Sequence, residues 1–128
     1  AGARAVFYKG YINYSTENYD EALAYFQLFV KKFSSSPLAG KAYYYISYCY
    51  SAKNDNDNAI AILEEFEKKF KNSHYISLFD LRLGELYEAK DKATAAKYYK
   101  KIIDSEESSS QKSLAEKRLT LLENDMSL

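Results

Sequence analysis

Tyr19-Asp20-Glu21-Ala22-Leu23-Ala24-Tyr25-Phe26 decides the fold, because it recurs twice. Its counterparts are Asn56-Asp57-Asn58-Ala59-Ile60-Ala61-Ile62-Leu63 and Lys92-Ala93-Thr94-Ala95-Ala96-Lys97-Tyr98-Tyr99. The anchor alanines Ala22, Ala59 and Ala95 stand 37 and then 36 residues apart. Four residues after each anchor comes Phe26, Leu63 or Tyr99, and seven after it Phe29, Phe66 or Ile102. Those spacings put the three side chains on one helical face, and the small anchor admits a neighbouring helix at close range. A second helical pattern precedes each anchor: Phe7–Tyr14, Ala42–Tyr50 and Leu81–Tyr87. An internal period of this length marks a stack of helical hairpins.

Working outward, the pattern predicts seven helices, at about 4–15, 19–33, 37–53, 57–70, 74–90, 92–104 and 110–124. Ser36 and Pro37 form a start signal, serine as cap and proline at the first helical position. Ser73 is expected to cap the fifth helix and Ser110 the seventh. In the last helix Leu114, Ala115, Leu119 and Leu122 follow one apolar face, opposite Gln111, Lys112, Glu116, Lys117 and Glu123. A solenoid needs such a closing helix, since its last hairpin otherwise leaves an apolar face bare. The polar stretches 53–57 and 104–110 read as turns within one domain over residues 4–128, and Ala1–Ala3 as a scar or mature terminus.

Composition narrows the function classes. In 128 residues, 18 basic and 18 acidic side chains cancel, with six of each sign in residues 1–64. Such a balance leaves no electrostatic footprint for nucleic acid or an anionic membrane surface. Unbroken apolar runs such as 42–46 and 59–63 reach only five residues, far below the roughly 18 that a membrane-spanning helix requires. Cys49 is alone, so it can neither close an internal disulfide nor build a thiolate metal site. His74 is the only histidine. No glycine-rich phosphate loop, nucleophile–base set or metal-spaced cluster occurs, so no catalytic, cofactor or metal residue is assigned. Fourteen tyrosines and seven phenylalanines, without tryptophan, are what stands out.

Within Ala42-Tyr43-Tyr44-Tyr45-Ile46-Ser47-Tyr48-Cys49-Tyr50, the residues Tyr43, Ile46, Ser47 and Tyr50, with Ala59 beyond, resemble the tetratricopeptide repeat. Leu83-Gly84 with Tyr87 repeats the pattern, its turn one residue shorter. The first unit fits in two registers: Gly10 takes the small position with a standard turn, or Tyr14 the tyrosine position with a shortened one. The family's closing proline is absent.

The resemblance implies an all-α, right-handed solenoid of three hairpins (about 4–33, 37–70 and 74–104) and a capping helix. It also implies a non-catalytic protein-binding function. In the family, one face of each first helix lines a concave groove for extended or helical peptides. The matching positions are Tyr44, Tyr48 and Ser51 in the second unit and Leu81, Glu85 and Glu88 in the third. This groove would be aromatic in the middle and acidic towards its C-terminal end; the alternative is that the tyrosines only cover helix junctions. The Lys/Asn clamp of chaperone-tail-binding members is missing from these positions.

Two helix ends, Phe29-Val30-Lys31-Lys32-Phe33 and Phe66-Glu67-Lys68-Lys69-Phe70, continue to Ser36 and Ser73 in a shared scheme. That scheme is similar to tandems in bacterial cell-envelope proteins such as the Tol–Pal periplasmic coordinator and the outer-membrane-protein assembly lipoprotein. It implies a periplasmic or outer-membrane-associated setting, with a cytosolic adaptor and a homo-oligomerisation module as alternatives.

Overall fold

The computed structural model describes residues 2–106 and 109–127. Among them are seven helices and no strand: α1 (Ala3–Ser15), α2 (Tyr19–Lys32), α3 (Ala39–Ala52), α4 (Asn56–Lys69), α5 (Ile76–Tyr87), α6 (Lys92–Ile103) and α7 (Ser110–Ser127). The chain divides into two compact units, Ala1–Lys69 with α1 to α4 and Phe70–Leu128 with α5 to α7.

Helices α3 and α5 begin two residues later than the sequence predicts, for the same reason in both. The Ser36 hydroxyl accepts from Leu38 N–H at 3.1 Å, and the Ser36 carbonyl accepts from Ala39 N–H. Ser73 does the same for Tyr75 and Ile76. Each serine thus caps a single turn that leads into the helix, and that turn contains Pro37 or His74. True side-chain caps come from Asp91, which accepts from Ala93 and Thr94 N–H, and from Asp55, which accepts from Asn58 N–H. Lys31-Lys32 and Lys68-Lys69 fall in the last turns of α2 and α4, where cations complement the exposed carbonyls.

The inner register of the first hairpin is settled by contact. A β-carbon built on Gly10 would lie 2.9 Å from the Phe26 ring, and one on Gly84 2.4 Å from the Tyr99 ring. Gly10 and Gly84 therefore take the small position that the pattern gives to Ser47, each against the residue four after the anchor alanine. The turns agree with this register. Asn18 N–H bonds to Asn13 C=O and Asp55 N–H to Tyr50 C=O, five residues back, across left-handed residues Glu17 (φ 63°) and Asn54 (φ 61°). In the third hairpin Asp91 N–H reaches only four residues back, to Tyr87 C=O, so that turn is one residue shorter.

In the first unit the core gathers Phe7, Ala22, Phe26, Phe29, Ala42, Ile46 and Cys49. Cys49 is fully buried, and burial pushes its thiol up to about 11 against a smaller opposing pull from Lys53. It is a packing residue in a neutral state at ordinary pH. In the second unit Leu81, Ala95, Ala96, Tyr99 and Ile102 pack with Ala115 and Leu122 of α7, and Leu119 joins them half-buried. Asp80 is 2% exposed and pairs with Lys101 at 3.2 Å. Leu114, expected on the apolar face of α7, is 48% exposed instead. The face that enters the core is Ala115, Arg118, Leu119 and Leu122, so the true stripe runs one position to the side of Leu114.

Candidate partner-binding face

With Gly10 equivalent to Ser47, each α1 residue corresponds to the α3 residue 37 places later. Tyr11 then matches Tyr48, and Tyr14 matches Ser51. These two tyrosines belong to the same helical face as the predicted site, and the open register of the first unit hid them.

Tyr45 organises this region. Its ring stacks on Phe26 of α2 at 5.4 Å and meets Tyr14 at 5.0 Å and Tyr11 at 5.6 Å. Tyr44 and Tyr48, one helical turn apart on α3, pack edge to face at 5.1 Å with their hydroxyls 3.3 Å apart. Both are half-buried, as is Ser51. Burial raises the Tyr14 phenol above its ordinary value, and the neighbouring Tyr19, Tyr48, Cys49 and Tyr45 add to the effect. Tyr45 is raised by burial and then by Tyr11. The cluster supplies hydroxyls and ring faces, a combination suited to broad contact with a polypeptide. Nothing in it resembles a nucleophile poised beside a base.

Leu81 is 8% exposed and packs in the core of the second unit, so its expected place on an open groove is corrected. A leucine has no polar tip to carry outward, and α6 and α7 cover it. Glu85 and Glu88 remain at the surface of α5, yet neither is the unopposed carboxylate that the expected acidic end requires. Arg118 Nε donates to Glu88 at 2.8 Å, and Arg118 Nη1 lies 4.0 Å from Glu85. The Tyr99 hydroxyl also donates to Glu88 and accepts from Arg118 Nε at 3.1 Å. Burial opposes ionisation of Glu88, but the bonds from Arg118 and Tyr99 outweigh it and hold the carboxyl below its usual range. Tyr99 is raised by burial and by Glu88.

Among the described residues, no group of three or more His, Cys, Asp or Glu could hold a metal ion, and no helix is long and apolar enough to cross a membrane. The His74 ring lies tilted against Tyr75, with centroids 4.2 Å apart, in the turn before α5. Asn13, in the triplet Asn13-Tyr14-Ser15, is helical, and its side chain bonds to Lys9 C=O.

Repeated hairpins, two of them with a glycine facing an aromatic ring, define a helical-repeat protein. Residues 2–127 match the family described as a tetratricopeptide repeat-like domain, and the chain belongs to that family. No curated protein matches the chain. Domains of this kind generally mediate protein–protein interaction and are generally not enzymes.

Proposed function

We propose that this chain is a non-catalytic binding module that holds an extended or helical segment of a partner protein against the tyrosine face of α1 and α3. The observation that carries the reading is the convergence of Tyr11, Tyr14, Tyr44 and Tyr48 from two helices into one half-open phenolic surface. Tyrosines of this kind combine large contact area with few rotors, which keeps the ordering cost of binding low. Arg118 offsets Glu85 and Glu88, so no steering of a cationic partner by those carboxylates belongs to the proposal. The setting we propose is a bacterial cell-envelope assembly in the periplasm. The support is the shared Phe-x-Lys-Lys-Phe-x-x-Ser scheme, and a lipid-anchor or secretion signal in the encoded precursor would test it.

The binding test compares Tyr44→Ala/Tyr48→Ala with the core change Ile46→Ala. The tyrosine pair should weaken partner capture by more than about 1 kcal/mol per residue, as interface anchors do. Its unfolding midpoint should move much less than that of Ile46→Ala. Equal losses of stability in the two variants would make these tyrosines packing residues and end the proposal.

A further inference from the structure

Net charge is zero over the whole chain, yet within the first unit the charges are sorted by helix. Every acidic residue of that unit lies on α2, on α4 or in the turns 16–18 and 53–55, and α1 and α3 carry none. The only charged residues of α1 and α3 are Arg4, Lys9 and Lys41. Lys9 stands on the side of α1 away from Tyr11 and lies over the Tyr25 ring of α2, 5.9 Å from its centroid. Lys41, Tyr44, Tyr48 and Ser51 follow one stripe of α3, at steps of three, four and three residues. Arg4, Phe7, Tyr11 and Tyr14 follow the same steps on α1, with Phe7 turned inward onto Phe26 and Phe29. Each helix thus begins its side of the tyrosine face with a cation. Both cations are exposed, and among the described residues neither makes an ion pair.

Stability of the fold does not explain where these cations stand. The first turn of a helix favours acids, and α2 and α4 comply with Asp20, Glu21 and Asp57. The first turns of α1 and α3 hold no acid and carry Arg4 and Lys41 instead. Glu65, near the end of α4, accepts from the Tyr43 hydroxyl and from Lys69, and so does not serve Lys41.

We propose, resting on the reading of the tyrosine face as a binding surface, that its occupant is an acidic segment of a partner polypeptide. Asp or Glu side chains of that segment lie beside Arg4 and Lys41, and its uncharged residues lie over the tyrosines. Charge at one end of the face also fixes which way round the segment sits. A single nucleic-acid strand is a poorer occupant, because it bears a phosphate at every nucleotide and two cations neutralise only two of them.

Short random peptides displayed on phage serve as the probe, selected on the full chain and separately on Tyr44→Ala/Tyr48→Ala. Peptides lost on the alanine variant should be enriched about threefold or more in Asp and Glu over the unselected pool. Arg4→Glu/Lys41→Glu should weaken those peptides by about tenfold or more, and added salt should slow their association with the unaltered chain. The unfolding midpoint of that variant should not fall, since both first turns favour an acid. Arg4→Gln/Lys41→Gln should give a smaller loss of binding in the same direction. Tyrosine-dependent peptides that show no acidic enrichment, or that ignore the charge reversal, would overturn this inference and leave the binding surface standing. If no selected peptide depends on Tyr44 and Tyr48, the surface itself falls and the inference with it. An oligothymidylate strand that binds this face more tightly than the selected peptides would overturn it in favour of nucleic acid.

Discussion

Helix α3 on the first hairpin and α7 on the third solve one packing problem with different chemistry. In both cases a helix seats an alanine, Ala42 or Ala115, against the preceding pair and sends the side chain three residues later across the ridge of the first helix. At that position α3 has Tyr45, whose ring meets Tyr11, Tyr14 and Phe26. Helix α7 has Arg118, whose guanidinium meets Glu85, Glu88 and the Tyr99 hydroxyl. Ring contacts and buried apolar area carry no charge for protons or ionic screening to act on. A half-exposed ion pair with a phenol attached is sensitive to both. The repeat thus fixes where a residue must reach, and leaves open what chemistry holds it.

The largest expected effect follows from deleting the two equivalent side chains. Tyr45→Ala removes a ring packed among Phe7, Tyr11, Tyr14 and Phe26, and should destabilise the first unit by about 3 kcal/mol, the low end for a core aromatic. Arg118→Ala removes a side chain that is only partly buried but leaves Glu88 without its cation, and should cost about 1–2 kcal/mol. Exchange of amides in α3 and in α7 reads the two losses separately. Equal losses would break the comparison, since the ionic contact would then be holding as much as the aromatic one.

Next in size are the glycines behind those contacts. Gly84→Ala places a methyl 2.4 Å from the ring of Tyr99, which is fully buried and tied through its hydroxyl to Glu88 and Arg118. With the ring held at both ends, the overpacking should cost about 1–3 kcal/mol. Gly10→Ala meets Phe26 at 2.9 Å, a ring with no polar tether. A small ring shift relieves it, and alanine regains about 0.5–1 kcal/mol of helix propensity, so this change should be near neutral. Midpoints of chemical unfolding check both.

These glycines also show where the sequence was readable. Gly84 is legible from the sequence, because Leu83 before it and Tyr87 after it complete the pattern. Gly10 is ambiguous in the sequence, since Asn13 stands where the pattern wants tyrosine, and only contact with Phe26 decides between the registers. The tyrosine face followed the same limit: Tyr44 and Tyr48 were legible from spacing, whereas Tyr11 and Tyr14 needed the register. Helix number and order came directly from periodicity. Leu81 is buried and Leu114 exposed, contrary to their spacing, because a spacing of three or four residues identifies a face only to within about 100° of rotation, and neighbours settle the rest. Arg118 carried no sequence signal, because a lone arginine on a polar helix looks like solvated surface until its partners are known.

Acid should separate the two regions further. Arg118 and Tyr99 hold the Glu88 carboxyl below the ordinary glutamate range in the folded protein. A depressed carboxylate contributes stability in full above the unfolded value and loses it as pH falls through the folded one. Attachment of α7 should therefore weaken progressively below about pH 4.5, while attachment of α3 through Tyr45 stays unchanged by this group. Glu88→Gln should flatten that acid dependence in α7 amide exchange. A steep acid loss that persists in Glu88→Gln would place its origin in another carboxyl.

The smallest effect tests whether geometry or charge alone makes the Arg118 contact. Glu85 and Glu88 both face the same guanidinium, but Glu88 accepts an Nε–H bond at 2.8 Å whereas Glu85 comes no nearer than 4.0 Å. The side chain of Glu85 is also the more exposed, 36% against 28%. A half-solvated pair without a hydrogen bond gains little Coulomb energy over water, and exposed pairs of this kind contribute about 0.2–1 kcal/mol. Glu85→Gln should accordingly shift the stability of the second unit by less than about 0.5 kcal/mol, and added salt should shrink even that. Glu88→Gln should cost more, because it weakens bonds from both Arg118 and Tyr99. If the two substitutions cost the same, the contact is a diffuse field of charges, and the likeness between Arg118 and the closely fitted ring of Tyr45 fails.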